Sequence, residues 1–179
     1  MNLANWLTVL RIALVPLIIT LLTIPGIIPN QPIFNFGIFS LIFITDFLDG
    51  YIARKQNTVT DLGKFLDPLA DKILVISILL LFVEKQLIPF YLVAIILFRE
   101  FAVQGLRLIA ASKQTIIQAD IFGKAKTVWQ YITLSWMILG FPYYMWLVYV
   151  MVGITLFSGL NYFIVNRIVF KDTGGSLNG

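Results

Sequence analysis

Long apolar stretches, separated by short polar or turn-forming segments, dominate the chain. Six such stretches can be read, most of them close to the roughly 20 residues that a helix needs to cross a bilayer. Their predicted bounds are 8–23, 33–54, 62–83, 89–111, 123–139 and 143–170. The pattern therefore predicts an all-α integral membrane protein with six transmembrane helices.

Turn-forming and polar residues mark the ends of these stretches. Pro25 and Gly26 break the first stretch, Pro89 opens the fourth, and the Gly140-Phe141-Pro142 turn separates the last two. Residues 55–61 and 112–122 form polar connections, and the second has room for a short interfacial helix. We expect residues 1–171 to form a single transmembrane domain and residues 172–179, which are small and polar, to be a flexible tail that is native or added.

Positive charges concentrate on one set of connections. They are Arg54, Lys55, Lys64, Lys113, Lys124 and Lys126, together with Arg11, Arg167 and Lys171 near the termini. The opposite set offers only Lys85, beside Glu84. By the positive-inside rule, both termini and the 55–61 and 112–122 connections should face the cytoplasm.

Composition supports a membrane location and restricts the chemistry. The mean hydropathy is +0.91 and 59% of residues are hydrophobic, too much apolar surface for a soluble protein of 179 residues to bury. Cysteine and histidine are both absent, so any bound metal needs oxygen ligands, which suits magnesium, manganese or calcium. The net charge of +4 follows from basic residues at helix ends, which argues against nucleic-acid binding.

Four aspartates lie at the predicted cytoplasmic ends of the second and third helices. An acid near the centre of a membrane helix costs about 2.5–3.5 kcal/mol on insertion scales, and less toward its ends. Asp46, Asp49, Gly50, Ala53 and Arg54 recur at helical spacing on one face. On the next helix, the residues that recur at i, i+4 and i+8 are Gly63, Asp67 and Asp71. We expect the four carboxylates to point into one space.

Four carboxylates in one site would repel one another unless bound cations neutralised their charge. Oxygen-only ligands and high negative charge favour hard divalent ions, with two ions sharing a bridging aspartate. Gly50 and Gly63 would let a substrate approach the backbone closely. Arg54 and Thr60 would lie at the mouth of the site, where a phosphate or a polar head could bind.

Other interpretations of these acids remain open. A single one could be an interfacial residue near a helix end, and membrane acids also build ion pathways, as in a small divalent-cation transporter. A non-catalytic interaction protein would leave their spacing unexplained. Arg99 and Glu100 lie deeper in the fourth helix, where a structural ion pair explains them as well as a functional role does.

The segment 46–71 resembles a known family signature. It fits D-x2-D-G-x2-A-R-x8-G-x3-D-x3-D at all eight fixed positions, the pattern of the CDP-alcohol phosphotransferases. Asn5, Thr8 and Arg11 are similar to the N-terminal N-x2-T-x2-R of bacterial members. The segments 99–100, 105–107, 110–112 and 123–127 resemble the phosphatidylglycerolphosphate synthase branch in particular. The resemblance covers about residues 1–171.

The resemblance implies the CDP-alcohol phosphotransferase fold and a transfer reaction. A phosphatidyl group would pass from CDP-diacylglycerol to sn-glycerol 3-phosphate, giving phosphatidylglycerophosphate and CMP, in an enzyme of the cell membrane that is a homodimer. Sister enzymes use other acceptors. It implies two Mg2+ or Mn2+ ions, one held by Asp46, Asp49 and Asp67, the other by Asp46, Asp67 and Asp71. Asp71 would also be the general base.

Substrate contacts follow from the same resemblance. The residues implied to bind CDP-diacylglycerol are Asn5, Thr8, Asp49, Gly50, Ala53, Arg54, Thr60 and Gly63. Glycerol 3-phosphate is a dianion that needs fixed positive charge, and the candidates are Arg11, Arg107, Lys124 and Lys126. Anchoring by the positive-inside rule is the alternative role for each of them. Because Lys124 and Lys126 are two residues apart, they do not share a helical face, so one of them could face lipid head groups.

Overall fold

Six α-helices make up the described part of the chain in the computed structural model. The backbone is described for residues 3–55, 61–113 and 121–167, and the side chains for 12–45, 72–113 and 121–167. The helices are α1 (Leu3–Thr23), α2 (Gln31–Lys55), α3 (Asp61–Glu84), α4 (Phe90–Ser112), α5 (Ile121–Ile138) and α6 (Tyr144–Val165). Over these described residues the predicted all-helical class and the six predicted helices are confirmed, and most predicted bounds lie within two residues of those observed.

Two predicted bounds differ by about five residues. α1 begins at Leu3 rather than at residue 8, because a helix can include polar residues outside its apolar stretch. α6 ends at Val165 rather than at residue 170. Beyond it, the backbone and side-chain amides of Asn166 both donate to the Tyr162 carbonyl, at 3.1 and 2.8 Å, so one open carbonyl of the last turn is satisfied.

The chain divides into two compact units. The first contains α1, α2, α3 and residues 134–144, and the second contains α4, residues 121–133 of α5, and α6 from Met145. In the first unit, α1 packs against both α2 and α3. Its buried core includes Ile18, Phe39 and Ile78.

The turn between α1 and α2 is held by one side chain of the first unit. Gln31 donates from Nε2 to the carbonyls of Leu21 and Ile24, and its Oε1 accepts from the backbone N–H of Gly26 at 2.5 Å. Gly26 has φ of +81°, a left-handed conformation that glycine adopts at little cost. The Pro-Gly break predicted here is therefore a tight turn closed by an amide.

The core of the second unit lies between α4 and α6. Val103, Leu106 and Ala110 of α4 pack around Tyr162 of α6, and Phe163 lies against the cluster. Tyr162 is 2% exposed although it carries a hydroxyl. This packing fixes the relative register of α4 and α6 where both carry polar residues.

Helical threonines satisfy their hydroxyls within their own helices. Each donates to the carbonyl four residues earlier, so the threonine hydroxyl is paired within its own apolar helix. The described residues that do this are Thr20, Thr23, Thr45, Thr127, Thr133 and Thr155. This internal pairing is the arrangement that an apolar solvent favours.

Outward-facing apolar side chains and one long apolar helix are consistent with a membrane protein. Among the described residues, α6 alone is both long and apolar enough to cross a bilayer, with a mean hydropathy of 1.8, and Ile12–Thr23 and Gln31–Thr45 are shorter apolar segments. Large hydrophobic side chains such as Phe98 and Ile121 are more than three-quarters exposed. Such surfaces need a cover other than water.

Candidate active site

The signature aspartates lie on two continuous helices. Asp46 and Asp49 fall in the second half of α2, and Asp67 and Asp71 fall in the first half of α3. The helical backbone gives each pair the i, i+3 or i, i+4 spacing of one face, as the sequence predicts. Their side chains lie outside the described residues.

The predicted nucleotide contacts are also known only by their place on the backbone. The positions of this set that lie in helices are Asn5 and Thr8 of α1, Gly50, Ala53 and Arg54 of α2, and Gly63 of α3. Arg11 belongs to α1, and its side chain is not among those described. Thr60 lies outside the described residues altogether.

The signature offers carboxylates as metal donors. Where side chains are described, no group of three or more acidic, histidine or cysteine residues could hold a metal ion. Within the whole sequence the only strong donors in the signature are carboxylates, and these fit magnesium or manganese. The metal role of the four aspartates stays a prediction.

The second unit brings three charged side chains together. Glu100 on α4 accepts a hydrogen bond from Nη1 of Arg99 at 3.2 Å and forms an ion pair with Nζ of Lys126 on α5. Arg99 also donates from Nη2 to the Ser158 hydroxyl of α6 at 2.6 Å. All four residues are at least nine-tenths buried. Arg99 and Glu100 therefore belong to a buried network rather than to an isolated pair.

Gly159 is needed where Arg99 crosses α6. A Cβ atom at this position would lie 2.7 Å from Cγ of Arg99, closer than any real contact of this kind. Because Cγ lies near the Arg99 backbone, it cannot move away as freely as the end of the side chain can. Arg99 also has a buried Nε for which the described residues supply no hydrogen-bond partner.

The two lysines at the start of α5 have different surroundings. Lys126 is 7% exposed and pairs with Glu100, whereas Lys124 is exposed. The expectation from their spacing, that they do not share a face, is confirmed. Of the two, Lys124 is the one whose charge is accessible to a soluble anion.

Arg107 lies in the last two turns of α4 and is itself exposed. Its Nε donates to the hydroxyl of Tyr162 at 3.0 Å, and its Cζ lies 5.4 Å from the centre of the Tyr162 ring. A guanidinium over an aromatic face gains a cation–π attraction as well as the hydrogen bond.

Ser158, Gly159 and Tyr162 were not singled out by the sequence analysis. The last apolar stretch offered little to compare with the family. A usable signal was nevertheless present, because polar residues in so apolar a helix need partners. Their four-residue spacing places Ser158 and Tyr162 on one face of α6.

Comparisons with known proteins agree on one family. A family model described as CDP-alcohol phosphatidyltransferase matches residues 1–157. The chain is 39% identical to the CDP-diacylglycerol–glycerol-3-phosphate 3-phosphatidyltransferase of Bacillus subtilis (strain 168), over 96% of this chain and 98% of the relative. Relatives with the same name include those of Rickettsia bellii (strain RML369-C), 42% identical over 78% of this chain and 76% of the relative, and Haemophilus influenzae (strain ATCC 51907 / DSM 11121 / KW20 / Rd), 32% identical over 90% and 91%.

Proposed function

The chain belongs to the CDP-alcohol phosphatidyltransferase family, and from this we propose that it transfers a phosphatidyl group from CDP-diacylglycerol to sn-glycerol 3-phosphate. The products are phosphatidylglycerophosphate and CMP. The observation that carries the proposal is the complete signature in 46–71, which lies inside the matched segment of a chain whose relatives bear the name of this reaction.

The four signature aspartates are the proposed metal ligands. Asp46, Asp49 and Asp67 would hold one divalent ion, and Asp46, Asp67 and Asp71 a second. Support comes from the all-carboxylate donor set and from the unbroken helices that carry it. When bound, such ions neutralise phosphate charge and hold the reacting groups in line. The choice between magnesium and manganese is open to experiment, since both take oxygen ligands.

Asp71 is the proposed general base. The attacking group is a hydroxyl of glycerol 3-phosphate, which is a weak nucleophile until a base within hydrogen-bond reach removes its proton. Asp71 follows Asp67 by one helical turn and is the last acid of the signature. It would take the proton as the new phosphate ester forms and CMP leaves.

The remaining signature residues would hold the donor substrate. Gly50 and Gly63 leave room beside the backbone, Arg54 supplies a cation for the diphosphate, and Thr60 a hydroxyl. Asn5, Thr8, Asp49 and Ala53 complete the proposed set of CDP-diacylglycerol contacts.

The sequence offers four basic residues that could bind the acceptor phosphate. For three of them the structure describes the side chain, and its exposure separates the stronger candidates from the weaker one. Arg107 and Lys124 are exposed, so a soluble dianion can reach their charges. Lys126 is buried against Glu100, and a direct contact would require it to bind phosphate and carboxylate together. We therefore propose Arg107 and Lys124 as the principal contacts, with Lys126 as a secondary one and Arg11 retained as a further candidate.

The proposed setting is the cytoplasmic face of the cell membrane. We propose six spans, with both termini and the active site on the cytoplasmic side, and the helix order and the loop charges support this arrangement. This arrangement lets acyl chains stay in lipid while the nucleotide and glycerol phosphate remain in water. A homodimer is proposed from the family resemblance.

CMP release by the purified protein tests the reaction directly. The protein, in detergent or liposomes, receives CDP-diacylglycerol and magnesium or manganese, with glycerol 3-phosphate, inositol phosphate or serine added separately. CMP that appears only with glycerol 3-phosphate supports the proposal. Release with another acceptor keeps the family chemistry and changes the product. No release with any acceptor and either metal contradicts the proposal, and metal flux into liposomes would then test a cation transporter.

A further inference from the structure

Tyr162 touches Arg107 in two ways at once. The phenolic oxygen accepts the Nε–H of Arg107 at 3.0 Å, and the ring lies under the guanidinium, with 5.4 Å between Cζ and the ring centre. The two contacts restrain both the position and the plane of the guanidinium. An exposed arginine would otherwise sample many rotamers.

The support beneath Arg107 is itself fixed. Tyr162 is 2% exposed and packs among Val103, Leu106 and Ala110 of the same helix that carries Arg107. The hydroxyl that accepts from Arg107 is therefore held by the core shared by α4 and α6. A rigid support of this kind lowers the entropy that the arginine loses when it binds an anion.

The hydrogen bond also selects which edge of the guanidinium is available. Arginine can grip an anion through Nε and one Nη, or through the two Nη atoms. Nε is occupied by Tyr162, and within the described residues Nη1 and Nη2 of Arg107 have no hydrogen-bond partner. The end of the guanidinium, with its two Nη groups, is thus left for a ligand.

We propose that Tyr162 is a positioning residue that holds Arg107 so that its two Nη groups bind the phosphate of the acceptor end-on. This inference rests on the proposed function, which makes glycerol 3-phosphate the acceptor. Tyr162 does not touch the substrate and acts through Arg107 alone.

A purely structural Tyr162 would behave differently. Loss of packing between α4 and α6 would lower the thermal midpoint and kcat, and it would not distinguish the two substrates. A positioning role changes KM for glycerol 3-phosphate and leaves KM for CDP-diacylglycerol, kcat and the thermal midpoint close to wild type.

The variant that separates these roles is Tyr162→Phe, which keeps the ring and removes the hydroxyl. We expect KM for glycerol 3-phosphate to rise about 3- to 30-fold, which is less than the full contribution of a hydrogen bond to a charged group because Tyr162 acts only through Arg107. Tyr149→Phe is the matched control, because Tyr149 lies on the same helix, is 48% exposed and contacts Trp146 rather than a charged group. That variant should keep the wild-type KM.

A double-mutant cycle with Arg107→Lys tests whether Tyr162 acts through Arg107. A lysine has no Nε–H and no planar fork, so Tyr162→Phe should add less than twofold to KM in that background. If the KM increases of the two single variants multiplied in the double variant, the inference would be wrong. A wild-type KM in Tyr162→Phe would also overturn it. If the wild-type protein released no CMP with glycerol 3-phosphate, the proposed function itself would fall, and the inference with it.

Discussion

The carboxylate of Glu100 on α4 and the ammonium group of Lys126 on α5 form a buried ion pair in the second unit. The same carboxylate accepts a hydrogen bond from Arg99. One anion therefore lies between two cations, and the three side chains together carry a net charge of +1. The network should depend more on Glu100 than on either cation, since Glu100 is the member that contacts both of the others.

Glu100→Gln should therefore destabilise the protein more than Lys126→Met does. Removing one partner of a buried ion pair costs about 3–5 kcal/mol, whereas Lys126→Met leaves Arg99 and Glu100 paired. Thermal midpoints in detergent measure both changes, at about 2–4 °C per kcal/mol for a chain of this size. Glu84→Gln is the control, because Glu84 is exposed. Equal midpoints for Glu100→Gln and Glu84→Gln would contradict this account.

The close approach of Gly159 to Arg99 predicts opposite effects for two similar substitutions. Gly159→Ala places a methyl group 2.7 Å from Cγ of Arg99 and should cost about 1–3 kcal/mol, as overpacking usually does. Gly153→Ala, six residues earlier on α6, meets nothing within 4 Å and should gain up to about 1 kcal/mol from helix propensity. The thermal midpoints of the two variants should move in opposite directions. If both midpoints rose by the same amount, the Arg99 side chain would have moved to make room for the methyl group.

The sequence predicted the helices well because apolar length and turn residues dominate their placement. Pro89 and the Gly140-Phe141-Pro142 turn fall where α4 begins and where α5 gives way to α6. The ends that were missed, at Leu3 and Val165, depend on polar residues and on the Asn166 cap, which hydropathy does not register.

The charged network could be predicted only in part. Arg99 and Glu100 are adjacent in sequence, so their pairing was foreseen as one possibility. Their other partners lie on different helices: Lys126 pairs with Glu100, and Ser158 accepts from Arg99. Tyr162 likewise accepts from Arg107. No local sequence pattern predicts which helices pack together. The aspartates were recognisable because acids at helical spacing are rare in apolar helices, and their roles remain predictions.

The exposed Lys124 should contribute to acceptor binding without contributing much to stability. Lys124→Gln removes one accessible charge, so KM for glycerol 3-phosphate should rise about 3- to 10-fold, which is less than a buried charge-assisted hydrogen bond contributes because solvent and salt screen an exposed charge. The thermal midpoint should stay near wild type because the side chain is exposed. Arg167→Gln, also an exposed cation, controls for a general loss of positive charge. A rise in KM of the same size in both variants would indicate long-range attraction rather than a contact at Lys124.

Asp71→Asn should separate catalysis from nucleotide binding. The amide cannot accept a proton, so kcat should fall at least about 100-fold, the lower end of what a general base contributes. Asp46, Asp49 and Asp67 remain to hold a divalent ion, so CDP should still raise the thermal midpoint when magnesium is present. Asp61→Asn makes the same chemical change on α3 at a variable position of the signature and should keep normal turnover. Near-normal turnover in Asp71→Asn would mean that another group removes the proton. Loss of CDP stabilisation together with turnover would instead make Asp71 essential for holding the metal, and chelation of the wild-type protein with EDTA should then reproduce the same loss.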